Sequence, residues 1–476
     1  MDRIKQSLER ELKLEGGPEF RLTDLPGEAF EPRAFTSTYY DTEEHRLARL
    51  GVTLRRRVEG RRSLWQAKIP HGNARLELEV RGGATIPKQL TQLLFGVTQG
   101  GALATVGRLR TERTGVRVLD GERVLAEVSQ DAVAVLDGAN GSGEFIEIEV
   151  ELVDGDDDDL RTLAKAAERA GARRTDGKPK IFRVLGLDQE ADAPTPLAPE
   201  LRWIQNFVRE QRRELLLNDA GARLGGRPEH VHKMRVATRR LRAFLRAASA
   251  SLDEAWADKL GTELSWLADA LGSVRDLDVL LERLADARLE LAEDDQAGLA
   301  SILETLERSR DEAHDTLVAA LGSRRYVRLL RRLEEVETSP AVRGGGDPPE
   351  KLARREFQKL QRAVAALGDV SDDDALHRAR IKAKRARYAA ELAGDALGGA
   401  GSRFVERAKA FQDLVGEHQD ALVAEERLRA LASSTDPEAA FVAGRLAELQ
   451  RARRAAAKAG VPKAWKRLEK VGLKAL

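Results

Sequence analysis

Residues 8–14 read Leu-Glu-Arg-Glu-Leu-Lys-Leu, and the architecture of the first 185 residues turns on them. Glu9, Glu11 and Lys13 alternate with Leu8, Leu12 and Leu14, the period of a strand whose two faces meet different surroundings. The pattern returns along the chain. Arg75, Glu77 and Glu79 alternate with Leu76, Leu78 and Val80, while Glu147, Glu149 and Glu151 alternate with Ile146, Ile148, Val150 and Leu152. Arg55 and Arg57 share one face of a further segment, residues 52–58. Residues 64–69 and 123–128 add strand signals, with Gly, Asn and Pro turns between several of them. Taken singly, each strand reads as half-buried with its charges toward water. Together they permit the reverse: closed into a barrel, the strands pack apolar faces outward against helices and line the lumen with charge. Such a lumen suits a metal-bound polyphosphate, because glutamate oxygens hold a hard cation such as Mg²⁺ while Arg and Lys neutralise phosphate oxygens.

Composition narrows the class. A chain of 476 residues, 42% hydrophobic and 33% charged, builds packed cores and has room for two to four domains. The absence of cysteine excludes disulfide scaffolds, thiol catalysis and Cys-ligated metals. The first 17 residues lack an apolar signal core and no run of 18 apolar residues occurs, so a soluble cytoplasmic protein is expected. The net charge of +1 conceals an asymmetry. Residues 1–200 hold 30 basic against 35 acidic residues, and residues 201–476 hold 50 against 44.

The N-terminal motifs resemble the CYTH domain, or triphosphate tunnel metalloenzymes. Glu9-x-Glu11-x-Lys13 matches that family's ExExK signature. The agreement continues in order through Tyr39-Tyr40-Asp41-Thr42, Leu54-Arg55-Arg56-Arg57, the Lys68 strand and Glu147-x-Glu149, ending at Lys180. Spacing varies around Arg113, Glu127 and Asp131, where Arg110 competes with Arg113. The resemblance implies an eight-stranded antiparallel β tunnel with flanking helices over residues 1–187, an α+β domain that binds a triphosphate with Mg²⁺ or Mn²⁺. It implies Glu9, Glu11 and Glu149 near the metal and Lys13, Lys68 and Glu147 in the chemistry. Arg55, Arg57, Arg113 and Lys180 would bind phosphates. A helix is expected over residues 160–170, after an acidic loop.

Residues 188–198 read as a linker, within a stretch, 188–200, that holds three prolines and no periodicity. Beyond them every pattern is helical, interrupted at residues 343–350 by Arg-Gly-Gly-Gly-Asp-Pro-Pro-Glu. The two halves repeat. His232-Lys-Met-Arg235-Val-Ala-Thr-Arg239-Arg240-Leu-Arg242 matches His377-Arg-Ala-Arg380-Ile-Lys-Ala-Lys384-Arg385-Ala-Arg387, and Gly272-Ser-Val-Arg275-Asp276 matches Gly416-Glu-His418-Gln419-Asp420. On a helix His232, Arg235, Arg239, Arg242 and Arg246 form a row opposite Met234, Ala237, Leu241, Phe244, Leu245 and Ala248. His377, Arg380, Lys384 and Arg387 form a second row opposite Ala379, Ala383, Ala386 and Ala390. Neither stretch contains an acid, so both rows call for an external anion rather than intrahelical pairing. Arg275-Asp276 and Gln419-Asp420 are expected as helix-terminal or buried polar supports.

This half resembles the CHAD domain, the conserved histidine α-helical domain often fused after CYTH. The resemblance implies an all-α domain over residues 199–476, with pseudosymmetric bundles at 199–342 and 350–476 and a basic channel for inorganic polyphosphate. The combined expectation is a metal-dependent inorganic triphosphatase that also binds polyphosphate, in the cytoplasm or at polyphosphate granules. The alternatives are a polyphosphate-binding, granule-targeting protein with little turnover, or a tunnel acting on thiamine triphosphate or ATP. Nucleic acid is disfavoured, because only 4% of residues are aromatic and none interleaves with the first row.

Overall fold

The computed structural model describes residues 4–17, 19–137, 143–187, 202–249, 252–288, 291–338, 347–367, 372–433 and 435–476. It divides into two compact units, Met1–Ala193 and Pro194–Leu476. The linker expected at 188–198 lies outside the described residues, as do positions 343–346 of the second breaker.

The first unit is an antiparallel sheet. Its strands are β1 (Lys5–Glu9), β2 (Glu11–Gly16), β3 (Glu28–Asp41), β4 (Thr53–Glu59), β5 (Arg62–His71), β6 (Ala74–Arg81), β7 (Ala104–Asp120), β8 (Arg123–Asp137), β9 (Glu144–Leu152) and β10 (Ala172–Arg174). They pair in the order β1-β6-β5-β4-β3-β7-β8-β9-β2-β10. β1 and β2 are one stretch of chain broken at Arg10, and this closes the ring. Glu9 pairs with Arg75 of β6, whereas Glu11 pairs with Glu151 of β9. Counting them together gives eight strands around a closed barrel, with β10 a short addition to β2.

Register settles which residues face inward, because directly paired residues project to the same side. Lys13 pairs with Glu149, Ser129 with Glu149, Asp131 with Glu147 and Arg113 with Asp131. On the other side Tyr39 pairs with Arg55, Arg55 with Gln66, and Lys68 with Glu77. Every alternating charge singled out in the sequence therefore falls on the inner face. The outer face is apolar: Leu14, Val116, Val128, Ile148 and Val150 pack against Leu163 and Ala167 of the helix Asp157–Arg169.

Three short helices, α1 (Arg46–Arg49), α2 (Lys88–Leu93) and α3 (Phe95–Thr98), precede α4 (Asp157–Arg169). The acidic run is not a loop ahead of α4. Asp156 caps the helix by accepting from the amides of Asp158 and Asp159, and Asp159 accepts in return from the Asp156 amide. At one end of the barrel the inward residues turn apolar. There Tyr39, Leu109 and Val133 pack against Ile181, Phe182 and Val184 of α5 (Lys180–Leu185), which plugs that end.

The second unit is helical: α6 (Arg202–Leu224), α7 (Pro228–Ala247), α8 (Glu254–Ala287), α9 (Gln296–Leu321), α10 (Arg324–Thr338), α11 (Pro349–Ala365), α12 (Asp373–Ala393), α13 (Gly398–Ala432) and α14 (Pro437–Ala475). α11, α12 and α13 repeat α6, α7 and α8 in order. One core joins the copies, with Leu277, Leu284, Leu299 and Ile302 of the first against Leu428, Val442, Ala443 and Leu446 of the second. All ten residues expected opposite the basic rows are buried. Among the described residues no helix is long and apolar enough to cross a membrane.

Candidate functional site

The tunnel gathers the N-terminal residues singled out by sequence. Lys13 Nζ lies 2.8 Å from Glu149, 3.1 Å from Glu147 and 3.7 Å from Glu11. Lys180 enters from the first turn of α5 and reaches Glu147 and Glu149 at 2.6 Å and Asp131 at 2.9 Å. Arg113 pairs with Asp131 at 2.6 Å and with Glu149, while Lys68 pairs with Glu9 and lies 3.7 Å from Glu77. Arg55 donates to Gln66 at 2.9 Å, and Gln66 in turn donates to Glu77 and Glu79. Arg57 stacks 3.7 Å above the Phe35 ring and pairs with Glu59 at 2.8 Å. Arg110 faces outward to Glu112, so Arg113 is the tunnel arginine. Glu127 sits at the unplugged end, paired with Arg117.

Burial and charge divide these carboxylates into two groups. Burial alone would raise Glu149, yet Lys13, Lys180 and Arg113 hold it well below the usual carboxylate range. Glu11 is likewise lowered, by Lys13 and Lys68 against burial. Glu9 is raised, because burial outweighs Lys68, and burial raises Glu147 in spite of Lys13 and Lys180. Glu151 is pushed up to about 7 by burial and by Glu9, Glu149 and Glu11. Lys13 and Lys68 oppose this pattern. Burial would lower Lys13 and Lys68, but the surrounding glutamates hold both above the ordinary lysine range.

Among the described residues no three acidic or histidine side chains already stand as a metal cage. The donors nonetheless fit a hard cation. Glu9 Oε2 is buried with no hydrogen-bond partner, and Glu9, Glu11 and Glu151 crowd closely enough that Glu9 and Glu11 help raise Glu151. Glu149 keeps different company, its oxygens engaged by Lys13, Lys180 and Arg113. Asp41, part of the quoted motif, is a structural group. It accepts from the amides of Thr42, Leu47 and Ala48 and so shapes the turn into α1.

In the helical unit the basic rows divide. His232, Arg235 and Arg239 of α7 and Arg380 of α12 line one cavity of about 300 Å³, with Arg275 and Arg283 of α8 and Gln419, Asp420 and Arg427 of α13. Lys384 lies against this cluster, and Arg380, Arg239 and Arg235 bear on it electrostatically. His377 is exposed beside Gln419 at 3.2 Å. Arg387 pairs with Glu391 and stacks on Tyr388. Arg246 lines a separate cavity with Arg240, Lys359 and Arg385, and Arg242 bears on Arg246 there.

The rows are not wholly uncompensated, because neighbouring helices supply acids. Arg235 pairs with Asp276 at 3.0 Å, Arg380 approaches Asp420 at 4.0 Å and Arg240 pairs with Glu391 at 2.7 Å. Arg275-Asp276 and Gln419-Asp420 lie within α8 and α13, neither at a helix end nor buried, and they line the cavity. Sequence reading missed Glu151, Gln66, Arg283 and Arg427 as site residues. The last two repeat at the same shift as Asp276 and Asp420, a signal that would have found them.

A closed tunnel of opposed charges joined to a duplicated, basic helical unit defines the class: the chain belongs to the proteins that carry a CYTH and a CHAD domain. The CYTH domain matches residues 7–180 and the CHAD domain residues 206–429. Within that class, an uncharacterized protein of Mycobacterium tuberculosis is 31% identical over 445 residues, covering 86% of this chain and 85% of the relative. Solved structures with part of the fold include the CHAD domain of the plant Ricinus communis, 26% identical over 58% of this chain and 93% of its own, TM-score 0.48. PptA from Streptomyces chartreusis is 25% identical over 56% of this chain and 100% of its own, TM-score 0.47. A putative adenylyl cyclase from Hippeastrum, described as having a dominant triphosphatase activity, is 17% identical over 39% of this chain and 99% of its own, TM-score 0.27. CYTH proteins are triphosphatases or cyclases and generally depend on a divalent metal, and CHAD domains are linked to polyphosphate.

Proposed function

We propose that the tunnel hydrolyses inorganic triphosphate with Mg²⁺ or Mn²⁺ and that the helical unit captures inorganic polyphosphate. One observation carries the first part. Lys13, Lys68, Lys180, Arg55 and Arg113 converge in a buried lumen where Glu9, Glu11 and Glu151 crowd together. Glu9 and Glu11 would hold the cation, with Glu149 adjoining. The cation supplies charge neutralisation across phosphate oxygens.

The remaining work falls to the chain's own groups. Lys13 and Lys68, paired with carboxylates in the free tunnel, exchange those partners for phosphate oxygens when substrate enters. Arg55, Arg57, Arg113 and Lys180 fix the other phosphates, and their charge offsets what develops as the terminal P–O bond breaks. Glu147, its carboxyl raised by burial, accepts a proton from the attacking water. The plug of α5 favours a short triphosphate over a polymer in this tunnel.

The test is phosphate release from tripolyphosphate, ATP and thiamine triphosphate by the full chain, each with Mg²⁺ and with Mn²⁺. Fastest turnover of tripolyphosphate supports the assignment, and preference for another triphosphate replaces the substrate. No release from any of them, with polyphosphate still retained, would leave a polyphosphate-binding protein of the cytoplasm or its granules.

A further inference from the structure

Where the two copies of the helical repeat meet the basic groove they differ at Arg275 of α8, which answers to Gln419 of α13, and again between the rows of α7 and α12. Arg239 of α7 answers to Lys384 of α12. The difference has chemical weight, since guanidinium keeps its charge at every accessible pH and an amine does not. Lys384 is only partly exposed, and no hydrogen bond or ion pair of the described residues reaches its amine. The charges facing it are Arg380 on its own helix, Arg235 and Arg239 on α7, and Asp420 on α13. Asp420 does not offset them, because it lies at the edge of pairing distance from both Arg380 and Arg283. α11 packs elsewhere on α12, where its Glu356 and Lys359 share a cavity with Arg385.

We propose that anion capture in this groove is coupled to uptake of a proton by the Lys384 amine, so that affinity falls as pH rises above neutrality. The inference rests on the polyphosphate reading above. Three guanidiniums without an equal complement of carboxylates repel a fourth cation, and partial burial removes the water that would support it. The free groove accordingly holds Lys384 near pKa 7, pushed down by burial and then by Arg380, Arg239 and Arg235. A polyanion in the groove reverses the field, and the amine regains its proton. The sign follows from linkage: the bound state holds more protons at Lys384 than the free state, so binding weakens as protons grow scarce. His232 lines the same cavity, and in the free groove its imidazole is lowered by burial and Arg275.

The experiment titrates long-chain polyphosphate into the full protein at fixed salt between pH 7 and 8.5, in two buffers of different ionisation enthalpy. Affinity is expected to fall by about tenfold across that range, with proton uptake approaching one per site. Lys384→Arg should bind with a flat pH profile and no uptake, and Lys384→Gln should bind weakly at every pH, also without uptake. Equal pH slopes in wild type and both variants would overturn the proposal, as would binding without uptake in wild type. Failure of every form to bind at pH 7 would instead remove the polyphosphate reading and take this inference with it.

Discussion

Three carboxylates of the tunnel can be separated by experiment, since each sits in a different field. Glu9→Gln and Glu11→Gln keep shape and remove a hard ligand. Metal-dependent phosphate release should fall at least about a hundredfold, the order expected when several kcal/mol of charge stabilisation is lost. Unchanged turnover in both variants would sink the metal assignment. Lys13→Ala should leave cation affinity nearly intact while weakening substrate binding or kcat, which a direct metal titration beside steady-state kinetics resolves. Glu151 offers a pH test. Its carboxyl sits at about 7 in the folded tunnel against an ordinary value of 4.5, so the folded state binds the proton more tightly. That stabilisation is present below pH 4.5 and is lost as pH rises through 7. Glu151→Gln should therefore stabilise the metal-free tunnel at pH 8, by at most about 3 kcal/mol, and change little at pH 4. Chelator-treated unfolding at the two pH values reads the difference, and an equal effect at both would show that Glu151 is not under electrostatic strain.

At the scale of elements, α5 links stability to the site. Phe182 is 2% exposed in the plug, and Lys180 begins the same helix. Phe182→Ala should cost about 3–5 kcal/mol and should raise KM for tripolyphosphate, because the helix that aims Lys180 loses its anchor. Phe182→Leu should recover most of both losses. Recovery of stability without recovery of KM would separate the plug from the lysine. Neither the plug nor the long strands β3 and β7 were legible in sequence. α5 is six residues long, too short for helical periodicity to register. β3 interrupts its alternation with a bulge between Phe30 and Arg33, and β7 carries two glycines and polar residues on both faces. The short strands bearing Glu9, Arg55, Lys68, Glu77 and Glu149 were legible because their two faces differ so sharply. The inward direction of those charges was not: only register, which no single strand encodes, decides it.

At the scale of the whole molecule, the two activities proposed for the chain should be separable by charge reversal. Arg235→Glu with Arg380→Glu places one reversal in each copy of the repeat, within the same cavity. The double variant should lose polyphosphate retention in a pull-down at about 0.15 M salt while tripolyphosphate turnover stays unchanged. Arg451→Glu with Arg453→Glu, outside both rows, is the control and should do much less. Equal retention by the two double variants would mean that the rows are merely solvated surface. Wild-type binding should also weaken steeply with salt, as counterions released from the polyanion are recaptured. The duplication itself was plain in sequence, through two motifs displaced by nearly the same shift. The division of the rows between cavities was not, because it depends on acids and arginines contributed by α8 and α13.

The break at Arg10 gives the tunnel a seam. β1 and β2 are its two sides, and the Lys13–Glu149 pairing that fastens it spans 136 positions of chain. A ring cannot shut until its most distant partners meet, and contacts of such separation form late and slowly. Glu9 and Glu11, the carboxylates proposed to hold the cation, and Lys13 ride on that closing segment, so the proposed reactive centre would be the last part of the barrel to mature. Any transient parting of the seam would dismantle it before the rest of the sheet has moved. Amide exchange along residues 5–16 would then serve as a clock for loss of function, running ahead of global unfolding.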